Sequence, residues 1–334
     1  MLSSFSPRRA VAVLVFGLLA VPGLAQDSAY VKNFTHKFLL TSRLGLRGQA
    51  FQFRPDGLAT TLDYAPNVAA TLSLGFNYKW LGLGIGIKLP ESPINEGRGE
   101  TDQFDIQLNS YGREYGFDVF YLDYRGFYLS NTRRALGPQP SGEPFYLRPD
   151  IENQVYGLNL YYVFNHRRFS YRSVFTFNEQ QLRTAGSWLA QVNLANFKSR
   201  ADSAFVPSQL TGDLADPQLG EISYLRFLQA GALGGYGLNL VVKRRFYGSA
   251  SLLLGLALID YYAEGPGGEV GSGQRISARA LARGGVGYSS DRWFWGANTL
   301  IDAYNLRYSE NLDASFFVTQ FRFYLGHRFD WKLW

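Results

Sequence analysis

VAATLSLGFNYKWLGLGIGIKL, residues 68–89, is the stretch that decides the fold. Val68, Ala70, Leu72, Leu74, Phe76, Tyr78 and Trp80 share one parity; Ala69, Thr71, Ser73, Gly75, Asn77 and Lys79 share the other. Then Leu81, Leu83, Ile85, Ile87 and Leu89 alternate with Gly82, Gly84, Gly86 and Lys88. Successive side chains of a strand point to opposite faces, so a period of two over this length reads as two long, two-faced strands joined by a short turn near Trp80.

The same period recurs along the chain. Phe104, Ile106 and Leu108 alternate with Asp105, Gln107 and Asn109. Tyr156, Leu158, Leu160, Tyr162 and Phe164 oppose Gly157, Asn159 and Tyr161. Ile276, Ala278, Ala280, Ala282 and Val286 oppose Arg275, Ser277, Arg279 and Arg283. Near the end, Phe317, Phe321, Phe323 and Leu325 oppose Gln320, Arg322, Tyr324 and Arg328. Segments 37–53, 168–178 and 246–262 follow the rule less cleanly, and 117–129 and 292–306 are mixed. Several strands run to 10 residues or more, against about 5–6 in soluble sandwiches and about 9–11 in a tilted strand that crosses a bilayer.

Composition agrees. Aromatic residues make up 16%, with 22 Tyr and 26 Phe, while mean hydropathy is close to neutral. In a membrane barrel every second residue faces lipid and aromatics gather at the interfaces, which gives both properties together. A soluble β-sandwich or propeller is the competing architecture.

Residues 1–25 have the parts of a secretory leader. Arg8 and Arg9 precede the apolar run Ala10 to Val21, Pro22 and Gly23 break it, and small residues stand at Gly23 and Ala25. The run falls short of the roughly 20 residues of a membrane-spanning helix. The mature chain is expected to start at Gln26 and to lose two arginines with the leader, which takes the net charge from +6 to +4. Scattered, mildly basic charge does not suit nucleic acid. The absence of Cys excludes thiolate metal sites, disulfides and a lipoprotein anchor.

The expectation is therefore an all-β chain: a closed antiparallel transmembrane β-barrel over 26–334, in the outer membrane of a Gram-negative bacterium. Closure leaves no strand edge unpaired in lipid. Extracellular loops are expected at 54–67, 90–102, 130–152, 179–220 and 263–274. Thirteen candidate strands appear, and bacterial barrels of one chain have an even number. Leaving out 186–198 restores the alternation of long and short connections and gives 12 strands; 14 is the alternative, with one more hidden in 199–220. The apolar phase switches at Gly234-Gly235, where a β-bulge is expected.

Phe104-Asp105-Ile106-Gln107, Tyr111, Asp118, Tyr121, Tyr124 and Gly126-Phe127-Tyr128 resemble a bacterial family, mainly of Bacteroidetes, catalogued as domain of unknown function 4421. Tyr64-Ala65-Pro66-Asn67 with Gly75 and Tyr78, Gln180 with Gly186-Ser187, and Tyr236 with Phe246-Tyr247 are similar too. The resemblance implies a secreted, outer-membrane protein and no catalytic residue.

Strand parity sends Arg43, Arg47, Lys79, Asp105, Arg172, Arg279, Arg283, Arg322, Arg328 and Asp330 to the polar face, with Asp118 and Asp123 facing opposite ways. These charges make either an electropositive constriction for small anionic or polar solutes or a salt-bridge ladder that plugs the barrel. His36, His166 and His327 fall at the periplasmic end, and Ser170 lies four residues from His166; no G-x-S-x-G elbow is present. No catalytic or metal site and no cofactor is expected. Glu264 and Glu269 in a glycine-rich loop fall short of a calcium pattern. Arg133-Arg134 could meet lipopolysaccharide phosphate. The expected partners are outer-membrane lipid, lipopolysaccharide and the insertion machinery, which would read the C-terminal strand ending in Trp334. A monomer is expected, with no nucleic acid. The readings are a narrow channel, a plugged structural or adhesive barrel and, third, a hydrolase acting at the rim.

Overall fold

The computed structural model describes residues 26–78, 81–90, 96–138, 142–309 and 312–330. The expected leader, Lys79, Trp80 and the terminal Trp334 lie outside them.

Nine long antiparallel strands make most of a wall. They are β2 (Phe38–Pro55), β7 (Tyr115–Leu129), β8 (Tyr146–Val163), β10 (Ala185–Arg200), β11 (Tyr224–Val242), β12 (Phe246–Gly265), β13 (Gly268–Ser289), β14 (Trp293–Ser309) and β15 (Leu312–Phe329). The short β3 (Leu62–Ala65) joins β2 to β7, and β15 pairs with β2 from Leu312↔Pro55 to Phe329↔Phe38. Ten strands thus close a ring. Closure pairs each of these ten with two neighbours and removes the edges that would otherwise template aggregation along that part of the wall.

β2 and β7 splay apart below β3. β4 (Thr71–Tyr78) pairs with the lower half of β2, and β5 (Leu81–Lys88) pairs with β4. β6 (Asp102–Tyr111) pairs with β7 from the other side. Among the described residues β5 and β6 are not paired with each other. Among the described residues the paired ring therefore has ten strands, with three more attached to it.

The ends differ in kind. One rim carries the turns at 112–114, 243–245 and 290–292. The opposite rim carries the long connections 130–145 and 201–223. The first contains the single helical turn α1 (Thr132–Ala135), and the second contains 3-10 turns at Ser208–Asp213 and Pro217–Glu221. We call these the turn rim and the loop rim.

Five expectations are corrected. Segment 186–198 is a wall strand within β10, paired along its length with β8 and β11. Segment 168–178 is not a wall strand: it holds the turn α2 (Arg172–Phe175) and lies inside the ring. The expected loop 179–220 is therefore divided by β10, and that at 263–274 is a hairpin whose strands pair up to Gly265↔Gly268. No bulge occurs at Gly234-Gly235, where the registers with β10 and β12 run unbroken. The bulge on β7 falls instead between Arg125 and Phe127. There Gly126 takes φ +90°, a left-handed conformation that glycine adopts without strain.

The outer face is apolar. On β12, Leu252, Leu254, Leu256 and Leu258 are each more than half exposed, while the intervening Leu253, Ala257 and Ile259 are buried inside. Ile276 and Val286 on β13, Val192 and Leu194 on β10, and Phe104, Ile106 and Leu108 on β6 continue the exposed face around the ring. A soluble monomer seldom exposes a continuous apolar surface beyond a few hundred Å².

Candidate functional site: the barrel lumen

The lumen is filled in three layers. At the loop rim, aromatic side chains meet from across the ring. Phe51 and Phe227 pack on Phe316 with ring centroids 4.7 and 4.9 Å away, and Phe197 packs on Tyr304 at 4.6 Å. Phe205, from the connection after β10, drops into this cluster against Phe51 and accepts a hydrogen bond at its carbonyl from the Tyr64 hydroxyl. The buried guanidinium of Arg148 pins the same connection, donating to the carbonyls of Ser203 and Ala204 while forking onto Asp150 at 2.8 Å through two nitrogens.

At the turn rim the layer is a plug, residues 164–184, folded up into the ring. Phe169, Tyr171, Val174 and Phe177 are buried there against Leu189, Leu253, Leu281 and Phe294 of the wall. Its tip ends in β9 (Glu179–Gln181), which pairs with β1 (Val31–Asn33) from the N-terminal segment. Glu179 is fully buried and takes hydrogen bonds from Ser170 (2.6 Å), Gln26 (3.0 Å) and Arg172 (3.2 Å). Arg328 latches the plug to the last strand. Its guanidinium donates to the Phe177 carbonyl at 2.8 Å, to the Ser289 hydroxyl and to the Ser290 carbonyl, and lies over the Phe34 and Phe294 rings.

Between these layers lies a charged one. Arg283 donates to Asp118 at 3.0 Å and to the Tyr111 hydroxyl at 3.2 Å, bracketed by the rings of Tyr171 and Phe175. Arg279 pairs with Asp302 at 2.8 Å and stacks 3.4 Å above the Tyr304 ring, whose hydroxyl donates to Asp302 at 2.7 Å. All four ionised groups are buried. In a low dielectric such pairs need good geometry and further hydrogen bonds. The Tyr111 and Tyr304 hydroxyls and the Ala303 carbonyl supply these in part, while Asp118 Oδ1, Arg283 Nε and Arg279 Nε and Nη2 have no hydrogen-bond partner among the described residues. Arg43 and Arg47 on β2 and Arg322 on β15 face the same layer. Gln107 accepts from Arg47 and Arg322 at 3.4 Å, and the Arg43 guanidinium has no hydrogen bond or ion pair among the described residues.

The family model described as Domain of unknown function (DUF4421) matches residues 25–329. The chain belongs to this family. No curated protein matches it. Among solved structures, this DUF4421 protein is similar to the outer membrane protease OmpT of Escherichia coli at 10% identity, covering 89% of this chain and 98% of that one with a TM-score of 0.39. It is similar to the translocator domain of the autotransporter NalP of Neisseria meningitidis at 10% identity, with 96% and 94% covered and a TM-score of 0.32. The outer membrane protein OprG of Pseudomonas aeruginosa matches at 8% identity, with 89% and 99% covered and a TM-score of 0.23. At those values none of the three transfers a role.

Of the residues that strand parity assigned to the lumen of this DUF4421 protein, Arg43, Arg47, Asp105, Arg279, Arg283 and Arg322 meet in the middle layer. Asp118 faces in and Asp123 faces out, the latter taking the Tyr121 hydroxyl at 2.9 Å. Arg328 also points inward, at the turn rim. Two assignments are corrected. Arg172 sits on the plug, because 168–178 is not a wall strand. Asp330 lies past the end of β15, exposed and paired with Lys37 at 2.7 Å. Lys79 lies outside the described residues.

Sequence reasoning assigned no role to the plug residues Glu179, Gln180 and Gln181. Three consecutive polar side chains, all buried, cannot belong to a two-faced strand with one side in lipid, and that run was the available signal. The Ser170–His166 pair does not assemble. Ser170 donates to Glu179, while His166 Nδ1 sits 3.3 Å from the Val163 carbonyl. Among the described residues no three His, Cys, Asp or Glu side chains converge as a metal site.

Proposed function

We propose that this protein is an integral outer-membrane β-barrel that rests closed and acts through its two faces rather than as an open pore. The observation that carries this reading is the inversion of the wall: exposed leucine and isoleucine outside, and a lumen filled from rim to rim inside. An apolar outer face around a closed ring suits hydrocarbon, where every backbone group must be paired within the protein. In this reading the wall crosses with twelve strands. β5 and β6 are neighbours in the lower half, where β3 does not reach. The loop rim faces outward, where Arg133 and Arg134 can meet lipopolysaccharide phosphate. The last strand serves the insertion machinery, and the barrel is a monomer without nucleic-acid partner or enzymatic activity.

Planar-bilayer recording on folded, heat-modifiable protein tests this reading. The closed barrel gives no steady channel steps. Steps with anion preference in the wild-type protein, weakened by Arg279→Ala or Arg283→Ala, would contradict it. They would favour the second reading, a narrow path for small anionic or polar solutes, which the excess of arginine in the middle layer supports. That path opens only if the plug leaves the ring.

A further inference from the structure

We propose that Arg43, Arg47 and Arg322 form an anion-binding site inside the barrel, for a small oxyanion of the phosphate class. Strand register builds the site. Arg43 and Arg47 lie on the inward face of β2, two pleats apart, with Gly45 between them. Arg322 is the register partner of Gly45. A Cβ at position 45 would stand 3.2 Å from Arg322 Cγ, so the missing side chain lets the arginine stem lie along β2 and bring its guanidinium to the other two.

Among the described residues the three cations lack a counter-charge. Gln107 Oε1, a neutral acceptor, is 3.4 Å from both Arg47 Nη1 and Arg322 Nη2, the outer limit of a hydrogen bond. The acids nearby make their hydrogen bonds and ion pairs elsewhere, although Asp105 Oδ1 and Asp118 Oδ1 carry none. Asp118 holds Arg283, Asp302 holds Arg279, and Asp105 Oδ2 takes the Tyr124 hydroxyl and the Gln103 amide. Among the described residues no acid lies within ion-pair distance of Arg43, Arg47 or Arg322. The middle layer therefore sets Arg43, Arg47, Arg279, Arg283 and Arg322 against Asp105, Asp118 and Asp302.

An uncompensated excess of positive charge away from bulk water is strongly unfavourable. A bound anion removes that penalty. The three arginines are neither fully buried nor fully exposed, so a small anion can reach them without a continuous path from rim to rim. Three guanidiniums arriving from two strands suit a tetrahedral oxyanion, whose oxygens accept from several forks at once, better than a planar carboxylate that fills one fork.

The test uses the full chain in detergent micelles, with inorganic phosphate titrated at constant ionic strength against chloride and folding followed by heat-modifiability. The wild-type protein should gain a saturable rise in melting temperature of about 5 °C at roughly a hundredfold excess over Kd. Arg43→Gln and Arg322→Gln should lose the rise. Arg200→Gln should keep it, because that guanidinium is exposed and paired with Glu152. In chloride alone Arg322→Gln should melt no lower than wild type, since it removes a like charge. A wild-type curve that tracks chloride, or a phosphate response that survives in both lumen variants, overturns the proposal. The site does not depend on the closed reading: a conducting barrel would sink that reading and leave the phosphate curve unchanged.

Discussion

Two groups of arginines share one layer of the lumen and obey opposite rules. Arg279 and Arg283 each meet a buried aspartate, a tyrosine hydroxyl network and an aromatic ring. Arg43, Arg47 and Arg322 meet one another across a glycine, with a single amide between them. The first group is structure, because each guanidinium has a carboxylate partner within the chain. The second is a vacancy in the electrostatics of the fold, which an external anion can fill. Residue type and parity are the same in both; the difference lies in which strand stands opposite.

That contrast can be broken from its stronger side. Asp118→Asn should destabilise the barrel by about 3–5 kcal/mol, because it leaves the Arg283 guanidinium buried without its carboxylate. Denaturant unfolding in lipid or detergent would measure it. Next comes the latch. Arg328→Ala leaves the Phe177 carbonyl and the Ser289 hydroxyl without their donor, a loss of roughly 1–3 kcal/mol. It should also expose the plug to limited proteolysis near residues 164–184 while the wall stays resistant. Arg322→Gln should do the reverse of Asp118→Asn and raise stability by about 1 kcal/mol in phosphate-free buffer, as relief of like-charge repulsion predicts.

The smallest effect lies outside the ring. Hydrogen bonding to Lys32 holds the Asp291 carboxyl below the usual carboxylate range, and Lys37 does the same to Asp330. Both tie the N-terminal segment to the turn rim. A lowered carboxyl contributes stability that is present above its unfolded pKa of about 3.9 and is lost as pH falls through the lowered value. The exposed Lys32–Asp291 pair is worth less than about 1 kcal/mol. Melting curves of Lys32→Gln and wild type should therefore differ slightly at neutral pH and converge in acid.

Much of the wall was legible because its period is set by geometry. Ile85 and Ile87, Ile276 and Val286, Phe321 and Phe323 all face outward as their parity required. Where reading failed, the interior was not polar. On β11, Leu225 and Phe227 point into the aromatic layer, while Tyr236 and Leu240 point out from the opposite parity. The apparent phase switch came from a change of lumen chemistry along an unbroken strand. β10 was set aside on a different ground, the rhythm of long and short connections, and its own pattern offered weak resistance. Its inward side runs from Leu189 through Gln191 and Asn193 to Phe197, which blurs the alternation against Trp188 and Val192 outside. Segment 168–178 misled in the other direction. Phe169, Tyr171, Phe175 and Phe177 alternate as a wall strand would, yet Ser170, Ser173 and Val174 between them are buried too. Of the site, parity found the inward arginines. Which of them are paired depends on long-range register, such as Arg322 opposite Gly45, which no local pattern reveals.

The central claim is an inverted wall around a lumen closed to through-passage, and nitroxide scanning along β12 tests it most directly. The chain has no cysteine, so single cysteines placed at 251–259 can each carry a spin label without background. The account predicts a period of two. Labels at 252, 254, 256 and 258 should be relaxed by oxygen, which concentrates in hydrocarbon. Those at 251, 253, 257 and 259 should be shielded from oxygen and from a water-soluble nickel chelate alike. Chelate access throughout the inward set would contradict the seal, and chelate access on the outward set would contradict the membrane wall itself.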